Sequence, residues 1–207
     1  MDVASNEVFT YHKEMKEVDA EMFIAAMQKE IFDHDSRNHR TIVHQSTLTL
    51  STKNIQEIWS FKRKRFPDGS LNKHKARICA HGGMQEWGAN YWETYSPVVN
   101  MLTVRLLLAL CNIHKLESNS IDFVLAFPQA DLDVEIWMEL PIGFVIDEAA
   151  YGECRSYVLK LNKNLYGLKQ ASLNSYDKLC EGPIARYFVP SVIGPSFHVK
   201  YGMMILT

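Results

Sequence analysis

Helices and strands alternate irregularly along this chain, which predicts an α+β fold, an antiparallel sheet with helices packed on it. Three stretches set that expectation. Between Asp19 and Phe32 apolar residues recur at Phe23, Ala26, Met27 and Ile31, the spacing of an amphipathic helix with Asp19 as its N-cap. Ile58 to Phe66 and Leu71 to Ala80 are β-compatible runs joined by Pro67-Asp68-Gly69-Ser70, whose turn chemistry reads as a β-hairpin. Met101 to His114, introduced by Pro97, is helical and apolar on nearly every side through Leu102, Leu106, Leu107, Leu108 and Leu110. Such a helix is expected to be buried.

The remaining elements follow in order. Thr41 to Leu50 mixes β-branched and aliphatic residues and suits a strand or an ordered loop. Ser120 to Phe127 is a predicted buried strand whose one charge is Asp122. Val134 to Leu140 alternates Ile136 and Met138 with Glu135, Trp137 and Glu139, a short strand ended by Pro141. Tyr157 to Leu161 is another short strand, and Ala171 to Phe188 a helix interrupted by Gly182-Pro183. The apolar run 202–207 is a further strand, expected to be unpaired or at a sheet edge. Residues 1–18 carry no strong pattern and read as a weakly ordered extension of one domain over 19–207.

Composition narrows the class. A chain of 207 residues with 47% hydrophobic content supports a true core, and a net charge of -2 makes no general polyanion binder. Cys79, Cys111, Cys154 and Cys180 lie far apart without a C-x-x-C pair, against a zinc knuckle or disulfide framework. Neither a leader nor a membrane-spanning run is visible, so an intracellular setting is expected, cytoplasm or nucleus unresolved. His34, His39 and His44 lack helical ligand spacing and are set aside as metal ligands.

Charge is segregated. Lys62, Arg63, Lys64, Arg65, Lys73, Lys75 and Arg77 all fall on the hairpin, against the single acid Asp68. A positive surface inside a weakly acidic chain suggests a phosphate-bearing partner; an edge guarded by cations against aggregation is the plainer alternative. Asp122 is the second signal. A lone carboxylate in a buried strand costs several kcal/mol, to order of magnitude, unless a cation or a metal ion pairs with it. The third is Gly167, which lets backbone approach closely, followed by the donors Lys169 and Gln170 at a helix start.

Their order carries a resemblance. Trp59-Ser60-Phe61-Lys62, Asp68-Gly69-Ser70, Lys75-Ala76-Arg77, Tyr91-Trp92-Glu93-Thr94-Tyr95-Ser96-Pro97-Val98 and Arg105-Leu106-Leu107-Leu108-Ala109 come first. The Asp122 run, Met138-Glu139-Leu140-Pro141-Ile142-Gly143-Phe144 and Leu165-Tyr166-Gly167-Leu168-Lys169-Gln170 follow. Together these blocks resemble the reverse transcriptase of copia-type LTR retrotransposons.

The resemblance implies the fingers and partial palm of a right-hand polymerase that copies an RNA or DNA template-primer from deoxynucleotide triphosphates with Mg²⁺. It implies Asp122 as a catalytic, metal-binding carboxylate and the Phe123 carbonyl as a further metal ligand. Lys75 and Arg77 would grip the triphosphate, and Phe127 would pack under the sugar. Gly167, Lys169 and Gln170 would meet the templating base pair, and Lys62, Arg63, Lys64, Arg65 and Lys73 would meet nucleic acid. The family's second motif, Tyr-Val-Asp-Asp, has no counterpart, since no Asp-Asp pair occurs in the 207 residues. The resemblance therefore implies a fragment cut short before that motif, with little polymerase activity alone. A nucleic-acid-binding module without catalysis and a non-functional remnant are the alternatives.

Overall fold

The computed structural model describes residues 11–49, 52–144, 156–191, 194–200 and 203–206. A short helix, α1 (Tyr11–Glu14), precedes α2 (Ala20–Asp35). Residues 11–18, expected within a weakly ordered extension, instead bring Glu14 to a buried position against the hairpin. Asp19 does stand at the N-cap position of α2, but its side chain makes no cap hydrogen bond. Its carboxylate is taken by Arg63 at 2.7 Å and by His74 at 2.7 Å, a stronger claim than a neutral N–H.

The hairpin forms as its turn residues dictate. Strands β2 (Glu57–Arg65) and β3 (Leu71–Ala80) pair antiparallel, with a register shift between Lys64 and Arg65. Gly69 takes φ +86°, and the Asp68 carboxylate accepts from the Ser70 N–H at 2.8 Å. That is the local side-chain bonding which makes Asp and Gly turn residues. Phe23 and Met27 of α2 cover one face of the hairpin, the Phe23 and Phe61 rings meeting edge-to-face at 5.1 Å.

A three-stranded antiparallel sheet stands beside the hairpin, in the order β1 (Arg40–His44), β5 (Tyr157–Lys163), β4 (Asp131–Met138). Ile55 joins the two sheets. Its N–H donates to the Trp137 carbonyl at 2.8 Å, and its own carbonyl accepts from the Glu139 N–H at 2.9 Å. One core results, with Phe23, Met27, Trp59, Phe61, Ile78, Ile136, Met138 and Leu159 almost fully buried. Each large apolar side chain so buried contributes about 1.5–3 kcal/mol. Helix α4 (Ala171–Ala185) then leads to a third antiparallel sheet, β6 (Val189–Ser191), β7 (Gly194–Lys200) and β8 (Met203–Leu206), with β8 at its edge. Among the described residues no helix is long and apolar enough to cross a membrane. Cys79, Cys111 and Cys180 are not joined in disulfides, whereas Cys154, Leu50, Gly202 and Thr207 lie outside the described residues.

Three expectations are corrected. Asp122 is not on a buried strand: residues 121–123 are irregular and exposed, and Leu125 turns the chain with φ +53°. A strand needs a neighbour for its N–H and C=O groups. The central strand β5 already carries β1 and β4 on its two sides, and this run joins none of the three sheets. Helix α3 (Met101–His114) forms where expected, capped by Asn100, whose side chain accepts from the Leu102 N–H at 2.9 Å. None of its residues is buried, although Val104, Leu107 and Leu110 are half-buried, because no described element packs extensively against it. Finally, Gly182-Pro183 does not interrupt α4, which runs through Pro183 to Ala185.

His39 sits at the joint between α2 and β1. Its Nδ1 lies 3.2 Å from that of His34, and its carbonyl accepts from the Asn162 N–H at 2.9 Å. Burial, then the nearby charges of His34, Arg37, Lys163 and Arg40, hold its pKa down to about 4. The neutral ring belongs to the fold while the unfolded chain binds the proton near pH 6.5. Stability from this group is therefore complete above about pH 6.5 and lost as pH falls toward 4. The urea midpoint is expected to drop from pH 7 to pH 5, and His39→Gln to flatten that drop. An unchanged pH dependence in the variant would refute this.

Candidate nucleic-acid interface

Strand alternation sorts the hairpin's cations. Residues directly opposite in an antiparallel pair share a face. Arg63 faces His74, Phe61 faces Ala76 and Trp59 faces Ile78, and these line the core side. On the other face Lys62 stands opposite Lys75, Lys64 opposite Lys73, and Ser60 opposite Arg77. Lys62, Lys64, Lys73, Lys75 and Arg77 thus form one continuous basic face. Burial, and then the like charges of Arg77, Lys64 and Lys73, push the Lys75 ammonium below its usual range. A bound phosphate would relieve that repulsion.

Arg63 departs from the expected role. Its guanidinium reaches Glu14 at 2.6 Å and Asp19 at 2.7 Å and lies 4.9 Å over the Phe23 ring. It fastens α1 and α2 to the hairpin and is turned away from the basic face. Arg65, beyond the register shift, is exposed and donates to the Gly69 carbonyl at 3.0 Å, closing the turn.

At the base of the hairpin the basic face meets aromatic residues. The Arg77 guanidinium lies 4.1 Å above the Tyr166 ring, and Phe127 packs against the same ring at 4.8 Å. Burial raises the Tyr166 pKa, and the Asp122 carboxylate is among the charges that act on that hydroxyl. Arg77, Tyr166 and Phe127 are therefore neighbours, and Asp122, on its loop, is near enough for its charge to act on the Tyr166 hydroxyl. In the sequence Tyr166 stands out only as a member of the Leu165–Gln170 block. An aromatic residue beside a glycine that faces a cationic strand is the signal that marks it.

The Gly167 loop is locked to the hairpin. The Ala80 N–H donates to the Tyr166 carbonyl at 2.7 Å, and Gly167 takes φ +89°. A Cβ at Gly167 would stand 2.2 Å from the Ala80 oxygen. Lys169 and Gln170 turn to the following loop rather than outward. The Lys169 N–H donates to Gln85 Oε1 at 2.7 Å, and its ammonium lies 3.0 Å from the Tyr91 hydroxyl. Gln170 is fully buried, its amide donating to the Asn90 carbonyl at 2.9 Å and accepting from Gln85 Nε2 at 2.9 Å. It is a clamp between loops, so the contact with a base pair expected of it is corrected. Gln85 and Asn90, the other half of that clamp, had no periodic signal to reveal them.

The described residues do not make a complete magnesium site. Mg²⁺ requires near-octahedral oxygen ligands, and the expected pair, Asp122 with the Phe123 carbonyl, would supply only part of that set. Among the described residues no group of three or more His, Cys, Asp or Glu side chains is gathered for a metal.

Comparison with known proteins places this architecture. The family model described as "Reverse transcriptase (RNA-dependent DNA polymerase)" matches residues 41–205. The chain is 35% identical over 186 residues to the retrovirus-related Pol polyprotein from transposon TNT 1-94 of Nicotiana tabacum, covering 83% of this chain and 14% of that protein. It is 37% identical over 141 residues to the Pol polyprotein from transposon RE1 of Arabidopsis thaliana, covering 68% of this chain and 9% of that one. With the transposon Ty1-ER2 Gag-Pol polyprotein of Saccharomyces cerevisiae the identity is 29% over 189 residues, covering 84% of this chain and 9% of that protein. The chain thus spans only 14% or less of the length of these relatives. No solved structure matches it.

Proposed function

This chain belongs to the reverse transcriptase (RNA-dependent DNA polymerase) family of copia-type LTR retrotransposons, and on that premise we propose that it holds template-primer nucleic acid on the hairpin's basic face. The hairpin with α2 corresponds to the fingers, and the Asp122 loop with Phe127 to part of the palm. Lys75 and Arg77 receive the phosphates of an incoming deoxynucleotide. Phe127, braced by Tyr166, forms an apolar floor beneath its sugar. Gly167 sets the loop at the correct depth, and Lys169 and Gln170 hold that loop from behind. Asp122 and the Phe123 carbonyl would contribute to metal binding, the metal supplying electrostatic stabilisation of phosphoryl transfer. The remaining ligands are not among the described residues, so no catalytic step is assigned to this chain.

The observation that carries the reading is the segregation of charge. Five cations share one face, while Arg63 is paired inward with two acids. A face that served only to guard an edge would need no such sorting. Binding to a primed RNA–DNA duplex is expected to weaken steeply with salt, because each neutralised phosphate releases counterions. Lys64→Ala/Lys73→Ala should lower the slope of log K against log salt by about 1–2. A slope equal to that of the parent, or binding insensitive to salt, would refute the proposal.

A further inference from the structure

Beyond the basic face, the loop that leaves β3 carries two exposed indoles in a fixed arrangement. Trp87 is 71% exposed and Trp92 55% exposed. Their ring centroids lie 5.8 Å apart at 72°, and the Trp87 indole N–H donates to the Trp92 carbonyl at 3.1 Å. The contrast with Trp59 is clear, since that residue is 3% exposed and belongs to the core.

The loop beneath the indoles is saturated with hydrogen bonds. The Gly88 N–H donates to the Tyr91 carbonyl at 2.9 Å, the Asn90 N–H to the Glu86 carbonyl at 2.9 Å, and the Glu86 N–H to Asn90 Oδ1 at 3.1 Å. Gly88 takes φ +80°, and Trp92 lies across it, its Cζ3 3.5 Å from where a Cβ would stand. The Asn90 carbonyl accepts from both Gln85 and Gln170, which bolts the loop to the Gly167 segment. The local acids are already engaged. Glu86 pairs with Lys53, and the Glu93 carboxylate accepts from the Thr94 and Tyr95 N–H groups at 3.0 and 3.1 Å.

We propose that Trp87 and Trp92 form a preorganised stacking platform for unpaired bases of single-stranded nucleic acid, at the foot of the basic hairpin. This rests on the nucleic-acid reading above and extends it to a strand form. An exposed indole held rigid loses little entropy on stacking, and every base has a π-face to offer it. In a duplex those faces are already covered by neighbouring bases, so the platform selects unpaired strand.

The test uses the full chain, a short oligo(dT), an abasic strand of equal length and a duplex, at one salt concentration. Oligo(dT) is expected to quench tryptophan fluorescence saturably. Trp87→Ala/Trp92→Ala should weaken oligo(dT) binding by about five- to 150-fold while leaving abasic-strand and duplex binding unchanged. Trp87→Phe/Trp92→Tyr should restore most of the loss, and matching far-UV spectra keep folding apart from binding. Equal oligo(dT) affinity in the alanine variant overturns the platform, and so does an equal loss on all three ligands. A dimer dispersed by the variant, with oligo(dT) binding unaltered, would assign the indoles to a second copy and also overturn it. Salt-dependent binding that ignores the indoles defeats this inference alone. Absence of all binding by the parent chain defeats both it and the proposed function.

Discussion

Gly167→Ala is expected to destabilise the protein by about 3 kcal/mol or more, among the largest effects available to a single methyl group here. Two costs add. Left-handed backbone at φ +89° costs a non-glycine residue about 1–2 kcal/mol. The new Cβ would also stand 2.2 Å from the Ala80 oxygen and 3.2 Å from the Ala80 nitrogen, so backbone must separate from backbone. That movement breaks the bond from the Ala80 N–H to the Tyr166 carbonyl and draws Tyr166 away from Arg77. Gly82 is held in the same way, its Cβ position 2.2 Å from the Gly167 oxygen. Gly69→Ala is the control. It has a similar φ of +86° with nothing within 4 Å, so only the conformational cost of about 1–2 kcal/mol applies. Equal losses in urea denaturation for the two variants would show that the contact with Ala80 is without energetic consequence.

Arg63→Met is expected to cost about 3 kcal/mol through a different cause, an acid left buried without its partner. Glu14 is 1% exposed and Asp19 only partly exposed, and Arg63 reaches both. The Arg63 guanidinium, with help from the His74 hydrogen bond and against the opposing effect of burial, holds the Asp19 carboxyl far below the usual carboxylate range. Its folded pKa is depressed. The stabilisation is therefore complete above the unfolded value near 4 and is lost as pH falls below it toward the folded pKa. Urea midpoints of the parent should decline below pH 4, and Arg63→Met should both lower the neutral-pH midpoint and remove most of that decline. A variant as stable as the parent at pH 7 would show that Arg63 does not fasten α1 and α2. The same substitution should leave the salt slope of nucleic-acid binding unchanged, since Arg63 is not on the basic face.

Much of the local structure was legible. The apolar spacing at Phe23, Ala26, Met27 and Ile31 marks α2, and Pro67-Asp68-Gly69-Ser70 marks the hairpin turn, because helical periodicity and turn chemistry are properties of a few adjacent residues. Helix α3 was also located correctly from its own residues. Its burial was not, since burial depends on what covers Leu102, Leu106 and Leu108, and no described element does. The Asp122 run failed as a strand for a related reason. A β-compatible composition states that a strand is possible, whereas pairing requires an available edge.

The candidate site divides along the same line. Composition alone sets seven cations on one hairpin, places a glycine before a Lys-Gln pair, and fixes the order of blocks that identifies the family. Tertiary structure decides which of those groups face outward. Period-two alternation and the register of β2 against β3 send Lys62, Lys64, Lys73, Lys75 and Arg77 to one side and Arg63 to the acids on the other. Packing of the Gly167 loop against Gln85 and Asn90 turns Gln170 from a surface donor into a buried clamp and leaves Trp87 and Trp92 raised above it. Residue order is sufficient for local conformation and for family membership. Direction and exposure belong to contacts between segments far apart in the chain, such as Gln85 with Gln170, 85 residues on, which no local pattern encodes.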